Sequence, residues 1–147
     1  MRTRAIILIC LLIWSVLTAS ARVYAQDSTA PVYGPEVAAF LSLMKDEDEE
    51  LEFQIRRKEI SHPAYLRAKK KIVLHRDAVL QIVKETGEDV VPELHIVTAA
   101  EVDQIVEGGV KAIKGAKPGD TIADRWRLVE IVTRGEVFYI FERISKF

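Results

Sequence analysis

Three histidines, His62, His75 and His95, and 22 acidic residues are the side chains in this 147-residue sequence whose types can move protons or hold a metal ion. His62 falls beside a predicted turn, His75 in a predicted helical seam and His95 in a predicted short strand. No two of them have the i, i+4 spacing that puts a pair of imidazoles on one helix face, so a metal site needs convergence from distant parts of the chain. The constellation with the most chemistry in it is Asp48 with His75. If two helices fold back on each other about Ile60, residues whose numbers sum to about 120 face each other, and these two come near one level of the seam. A carboxylate beside an imidazole can serve as a general base or as a pH-sensitive latch, but the expectation is a structural hydrogen-bonded pair or two groups that reach solvent at the seam's edge. No serine stands in a nucleophile-elbow pattern. Gly108-Gly109 lacks the spacing and context of a phosphate-cradling loop, and a helical block of carboxylates is no glycosidase pair without a cleft. From these residues we expect no catalytic residue, no metal site and no cofactor.

The elements that would position Asp48 and His75 occupy residues 35–87. Val37, Leu41, Met44, Asp48, Leu51 and Ile55 recur in steps of four and three, one stripe of a helix. Tyr65, Ala68, Ile72, His75, Val79 and Ile82 do the same in a second arm, with Leu66, Val73 and Leu80 widening the stripe. Between them Ser61 suits an N-cap and Pro63 the first turn, so the second helix should start at about His62. Gly87 suits a left-handed C-cap. The antiparallel register sets Asp46, Glu47, Asp48, Glu49, Glu50 and Glu52 alongside Arg67, Lys69, Lys70 and Lys71. Most of these charges should be solvated, because an exposed ion pair contributes only ~0–1 kcal/mol. The acidic block also argues against reading Arg56-Arg57-Lys58 or Lys69-Lys70-Lys71 as a nucleic-acid or lipid site.

Residues 1–25 read as an export signal. Arg2 and Arg4 precede an apolar run at 5–17, and small residues follow at Ala19-Ser20-Ala21 and at Val23-Tyr24-Ala25. Cleavage after Ala25 is the expectation, with Ala21 the other site. The apolar core falls short of the ~20 residues of a membrane span, so no stable span is expected after cleavage; a tethered protein keeping residues 1–25 is the competing case. Cleavage would remove three of the 21 basic residues and none of the 22 acidic ones, leaving a net charge of about −4 and no electrostatic attraction to nucleic acid. It would also remove Cys10, the one cysteine, and with it any disulfide, thiolate nucleophile or cysteine-ligated metal. The remaining chain is long enough to fold on a hydrophobic core alone. Residues 26–34 read as a flexible lead-in.

Beyond Gly87 the hydrophobic period changes. Leu94 to Val97 form a strand candidate, and Thr98-Ala99-Ala100-Glu101 fits a capping box opening a helix on which Val102, Ile105 and Val106 share a face. Lys117-Pro118-Gly119-Asp120 is a turn. Runs 126–133 and 137–144, parted by Arg134-Gly135-Glu136, predict a β-hairpin. Strict alternation puts Phe138, Ile140 and Ile144 on one face of the second strand and Val137, Tyr139 and Phe141 on the other. On the first strand it sets Trp126, Leu128 and Val132 opposite Val129 and Ile131. Both faces need cover. One can pack on the helix at 99–107; the other must meet the helical hairpin, the Leu94 strand's surroundings or another protein. Val137, Tyr139 and Phe141 are thus a candidate interaction surface, with packing inside the chain the stronger expectation.

The pattern Leu51, Ile55, Lys58-Glu59-Ile60-Ser61, Tyr65, Lys69, with an acidic helix before it and a lysine-rich one after, resembles the SHOCT helical hairpin module over about residues 51–70. The resemblance implies self-association or partner docking and no catalytic residues. SHOCT modules usually lie at the C-terminus of bacterial proteins; here the match lies near the mature N-terminus, with a longer second helix and a β-containing lobe behind it. The sequence therefore predicts an α+β protein: a signal peptide at 1–25, a helical hairpin at 35–87 and a small β-α-β-β lobe at 93–147. The functional expectation is a non-enzymatic interaction or structural protein of the periplasm or cell envelope, self-associating or docking another envelope protein. The alternative is a small hydrolase or ligand-binding protein using His75 or His95 and a carboxylate between the two lobes.

Overall fold

The computed structural model describes residues 33–144. The expected signal segment and most of the lead-in lie outside the described residues. The order is α1 (Pro35–Arg56), α2 (His62–Thr86), β1 (Leu94–Thr98), a 3-10 turn (Val102–Gln104), α3 (Gly109–Ala112), β2 (Thr121–Ile122), β3 (Trp126–Thr133) and β4 (Val137–Arg143). This is an α+β fold in which a helical hairpin precedes a four-stranded antiparallel sheet of order β1-β4-β3-β2.

Local chemistry explains the helix ends. α2 begins where the Ser61 hydroxyl accepts from the Ala64 amide at 3.4 Å, and it ends at Gly87 in the left-handed conformation, φ 73°. α1 ends in a Schellman arrangement, with the Lys58 amide donating to the Ile55 carbonyl at 3.1 Å and the Glu59 amide to Gln54 at 3.0 Å. Lys58 therefore holds φ 59°, a position that favours glycine.

The start of α1 is capped from a distance. Gly34 has no side chain to offer, and the Asp89 carboxylate fills the place, accepting from the Glu36 and Val37 amides at 3.0 Å each. Glu36 returns the bond by accepting from the Val91 amide at 2.8 Å, a reciprocal capping box closed across more than fifty residues. A Cβ on Gly34 would overlap the Asp89 carboxyl, so glycine leaves room for the borrowed cap.

Helices and sheet share one core. Phe40, Met44, Leu74, Ala78 and Val79 of the hairpin pack with Leu94, Phe138 and Ile140 of the sheet. The opposite sheet face carries a second cluster, in which Val97, Leu128 and Phe141 are covered by Val102, Val106 and Ile113. The sheet is thus sandwiched between the hairpin and the segment around α3, and its two apolar faces are both occupied, as the aromatic hairpin required.

Three local expectations need correction. The helix expected from Thr98 is a 3-10 turn followed, after Gly108, by the single-turn α3. Only half the capping box forms: the Glu101 carboxylate accepts from the Thr98 amide at 2.8 Å and its hydroxyl at 2.9 Å, while the Glu101 amide donates to the Thr98 carbonyl. Val132 lies on the hairpin side with Val129, opposite Leu128, because a β-bulge between Leu128 and Glu130 leaves Val129 without its own partner and shifts the alternation by one. The short strand β2 was not expected; it meets β3 through a tight turn in which Ala123 and Asp124 both have positive φ, 49° and 53°.

Candidate functional site

The structure separates the proton-handling pair expected from the sequence. Asp48 is engaged by Lys69, whose Nζ lies 3.2 Å from Oδ1, while His75 packs edge-on against the Phe40 ring with centroids 5.1 Å apart. The register is the cause. Lys69 also donates to Glu52 at 2.6 Å and Tyr65 donates to the same carboxylate at 2.5 Å, so Asp48 sits at the level of Lys69, and His75 falls nearer the hairpin base opposite Phe40. Burial, assisted by the nearby charge of His95, pushes the His75 imidazole below its ordinary value and favours the neutral ring. Within the Tyr65–Glu52–Lys69–Asp48 network, the hydrogen bond to Glu52 raises the Lys69 ammonium and the Tyr65 phenol, and the bonds from Lys69 and Tyr65 lower Glu52. Each shift favours the charge state that holds the network together.

His95 stands on β1 with its Nε2 3.3 Å from a Glu93 oxygen and its ring edge-on to Trp126 at 4.8 Å. Arg143 bonds the same Glu93 oxygen at 3.2 Å, and the hydrogen bond with His95, followed by that with Arg143, lowers the Glu93 carboxyl. His62 stacks beside Tyr65 next to the turn. Among the described residues no group of three or more His, Cys, Asp or Glu is placed to hold a metal ion, and no buried side-chain nitrogen or oxygen lacks a partner.

The strongest electrostatic arrangement that sequence spacing hinted at only in part is Glu101. Partial burial pushes its carboxyl up, but the Lys71 ammonium at 2.7 Å and the Thr98 amide and hydroxyl outweigh that and hold it at about 2. The capping-box pattern pointed to the Thr98 contact. Lys71, thirty residues earlier, carried no local sign of the pairing, which fastens α2 to the turn after β1.

Of the candidate surface on β4, Phe141 is fully buried in the second core cluster, and Tyr139 and Val137 are half-buried. Tyr139 stacks along Phe141 and packs against the cluster, so this face is covered by the chain's own 3-10 turn and α3. The seam of the hairpin is likewise filled from within, by Met44, Leu51, Leu74 and Val79.

Exposed apolar side chains remain elsewhere, among them Leu66, Val90 and Ile131, and two further ones lie on α1. Leu43 is 53% and Phe53 43% exposed. Along the flank where α1 meets α2, the exposed Leu43 and the better-buried Leu51 and Ile72 floor a shallow groove of about 330 Å³ rimmed by Asp46, Glu47 and Glu50. A second open hollow of about 640 Å³ lies around Phe53, bounded by Asp46, Glu49, Glu52 and Arg56. Leu43, Glu47, Glu50 and Gln54 follow helical steps, a pattern visible in the sequence but masked there by the stronger inner stripe. The arrangement has no nucleophile or general base facing an enclosed space; it offers an apolar floor and an acidic rim on a braced helix.

No protein-family model matches the chain, and no curated protein or solved structure is significantly similar to it. The resemblance to SHOCT therefore stays a local likeness over the turn and its flanks. Among the described residues no helix is long and apolar enough to cross a membrane.

Proposed function

We propose that this is an exported, non-enzymatic docking or structural protein of the periplasm or cell envelope, and that it binds through the acid-rimmed flank of α1. The observation that carries the reading is the groove floored by Leu43, Leu51 and Ile72 and rimmed by three carboxylates. An apolar floor whose exposed member is Leu43, set beside carboxylates of like charge, favours a partner that presents an apolar centre flanked by cations. With Met44, Leu74 and Val79 of the seam and the Phe141 face covered, this acid-rimmed flank is the surface on which we place the self-association or partner docking expected from the sequence. Export rests on the signal-like residues 1–25, and the intact mass of the protein recovered from the periplasm or medium should correspond to a chain beginning at Gln26.

Site-specific photocrosslinking in living cells tests the docking surface. A photoreactive residue at position 43 or 47 should give discrete adducts, and one at the exposed Glu85 of α2 should not. Equal labelling at all three positions would sink the proposal.

A further inference from the structure

We propose that the occupant of the α1 groove is the lysine-bearing segment 110–117 of a second copy of this chain, seated head to tail; the proposal rests on the docking reading above. Val110 is 39% exposed, and Lys111, Lys114 and Lys117 follow it at three-residue intervals, all exposed. Two acids flank the segment: Glu107 precedes it and Asp120 closes it, bound to the Lys117 amide at 2.8 Å. The groove presents the complementary pattern, an apolar floor with Asp46, Glu47 and Glu50 around it.

The internal ion pairs leave both of these surfaces available, along with scattered charges such as Lys58 and Lys84. Arg67, Lys69 and Lys71 of α2 are satisfied by Glu136, Glu52 with Asp48, and Glu101. Among the described residues neither the three groove acids nor the three lysines enter an ion pair. The hairpin covers one face of the sheet and the segment around α3 the other, so the two surfaces belong to opposite layers and are set to meet between chains. Such an interface joins unlike patches. Each added copy leaves one groove and one lysine segment free, and assembly proceeds to a closed ring or an open filament.

The full chain, purified as its host leaves it, is examined by sedimentation velocity over a dilution series, from about 20 mM to about 500 mM salt. Two charge reversals are compared, Glu47→Lys with Glu50→Lys and Lys111→Glu with Lys114→Glu, each checked by circular dichroism for an unchanged fold. The wild type should associate, at least about tenfold more weakly at high salt. Each reversal alone should be monomeric, since both its patches then carry one sign, and an equimolar mixture of the two should associate again. Restoration in the mixture cannot arise from a merely damaged fold. A wild type that stays monomeric throughout, or association indifferent to the reversals, overturns the proposal. A monomeric wild type that still gives adducts to another protein at position 43 overturns self-pairing and leaves the docking surface standing; loss of those adducts overturns both.

Discussion

Replacing Asp89 with Ala removes the acceptor of two amides at the start of α1, and we expect about 1–2 kcal/mol less stability in urea titration. Gly34→Ala should match it, because the added methyl displaces the same carboxylate. Glu101 predicts a dependence on pH. Its folded value of about 2 lies below the ordinary 4.5, so its contribution is complete above pH 4.5 and disappears as pH falls towards 2. The stability difference between wild type and Glu101→Gln should therefore be about 1–2 kcal/mol at pH 6, allowing for partial solvent screening, and should vanish near pH 2. His75, lowered from 6.5 by burial, should titrate by NMR below that value. Residues acting on near neighbours, such as Ser61 and Gly87, were legible in the sequence because their partners lie within a turn. Asp89 and Lys71 were not, because what they bind is fixed by tertiary approach across fifty-two and thirty residues.

The two helices illustrate what periodicity can and cannot fix. Their bounds and their antiparallel register follow from an apolar stripe, a capping serine and a terminal glycine, and the structure places them accordingly. The pairing of Asp48 with His75 needed that register to within a turn, and more than a turn and a half separates Lys69, which Asp48 meets, from His75. Strand faces failed for a different reason. One unpaired residue, Val129, reverses the alternation beyond it, and nothing in a run of apolar residues marks where such a residue will fall. Strand β2 has no sequence signal of its own, because Ala123-Asp124 lacks the Asn-Gly signature of its turn. Both strained turns offer stabilising changes. Lys58→Gly relieves a side chain from left-handed backbone at the end of α1 and should add about 0.5–1 kcal/mol in chemical denaturation, as should Ala123→Asn. In the opposite direction, Leu74→Ala opens the core between helices and sheet and should cost about 2–4 kcal/mol.

At the scale of the whole molecule the hairpin and the sheet are two layers on a common core, and that core decides how they come apart. Far-ultraviolet circular dichroism, dominated by the helices, and Trp126 fluorescence, reporting the sheet, should trace one coincident unfolding curve; separated midpoints would mean that the hairpin stands independently. The α+β class was readable from the change of period after Gly87, whereas the layering was not, since apolar strand faces do not say which helix covers which. The borrowed cap carries a kinetic consequence. α2 has a serine and a glycine of its own at its ends, but α1 obtains its N-terminal acceptor only after the chain has turned back and passed the end of α2. An emerging or refolding chain would therefore stabilise α2 first and hold α1 in exchange with the coil until residue 89 arrives. Closure of that long loop becomes the step at which the acid-rimmed face of α1 acquires a fixed shape, so the surface proposed for docking would be completed late, after the core that supports it.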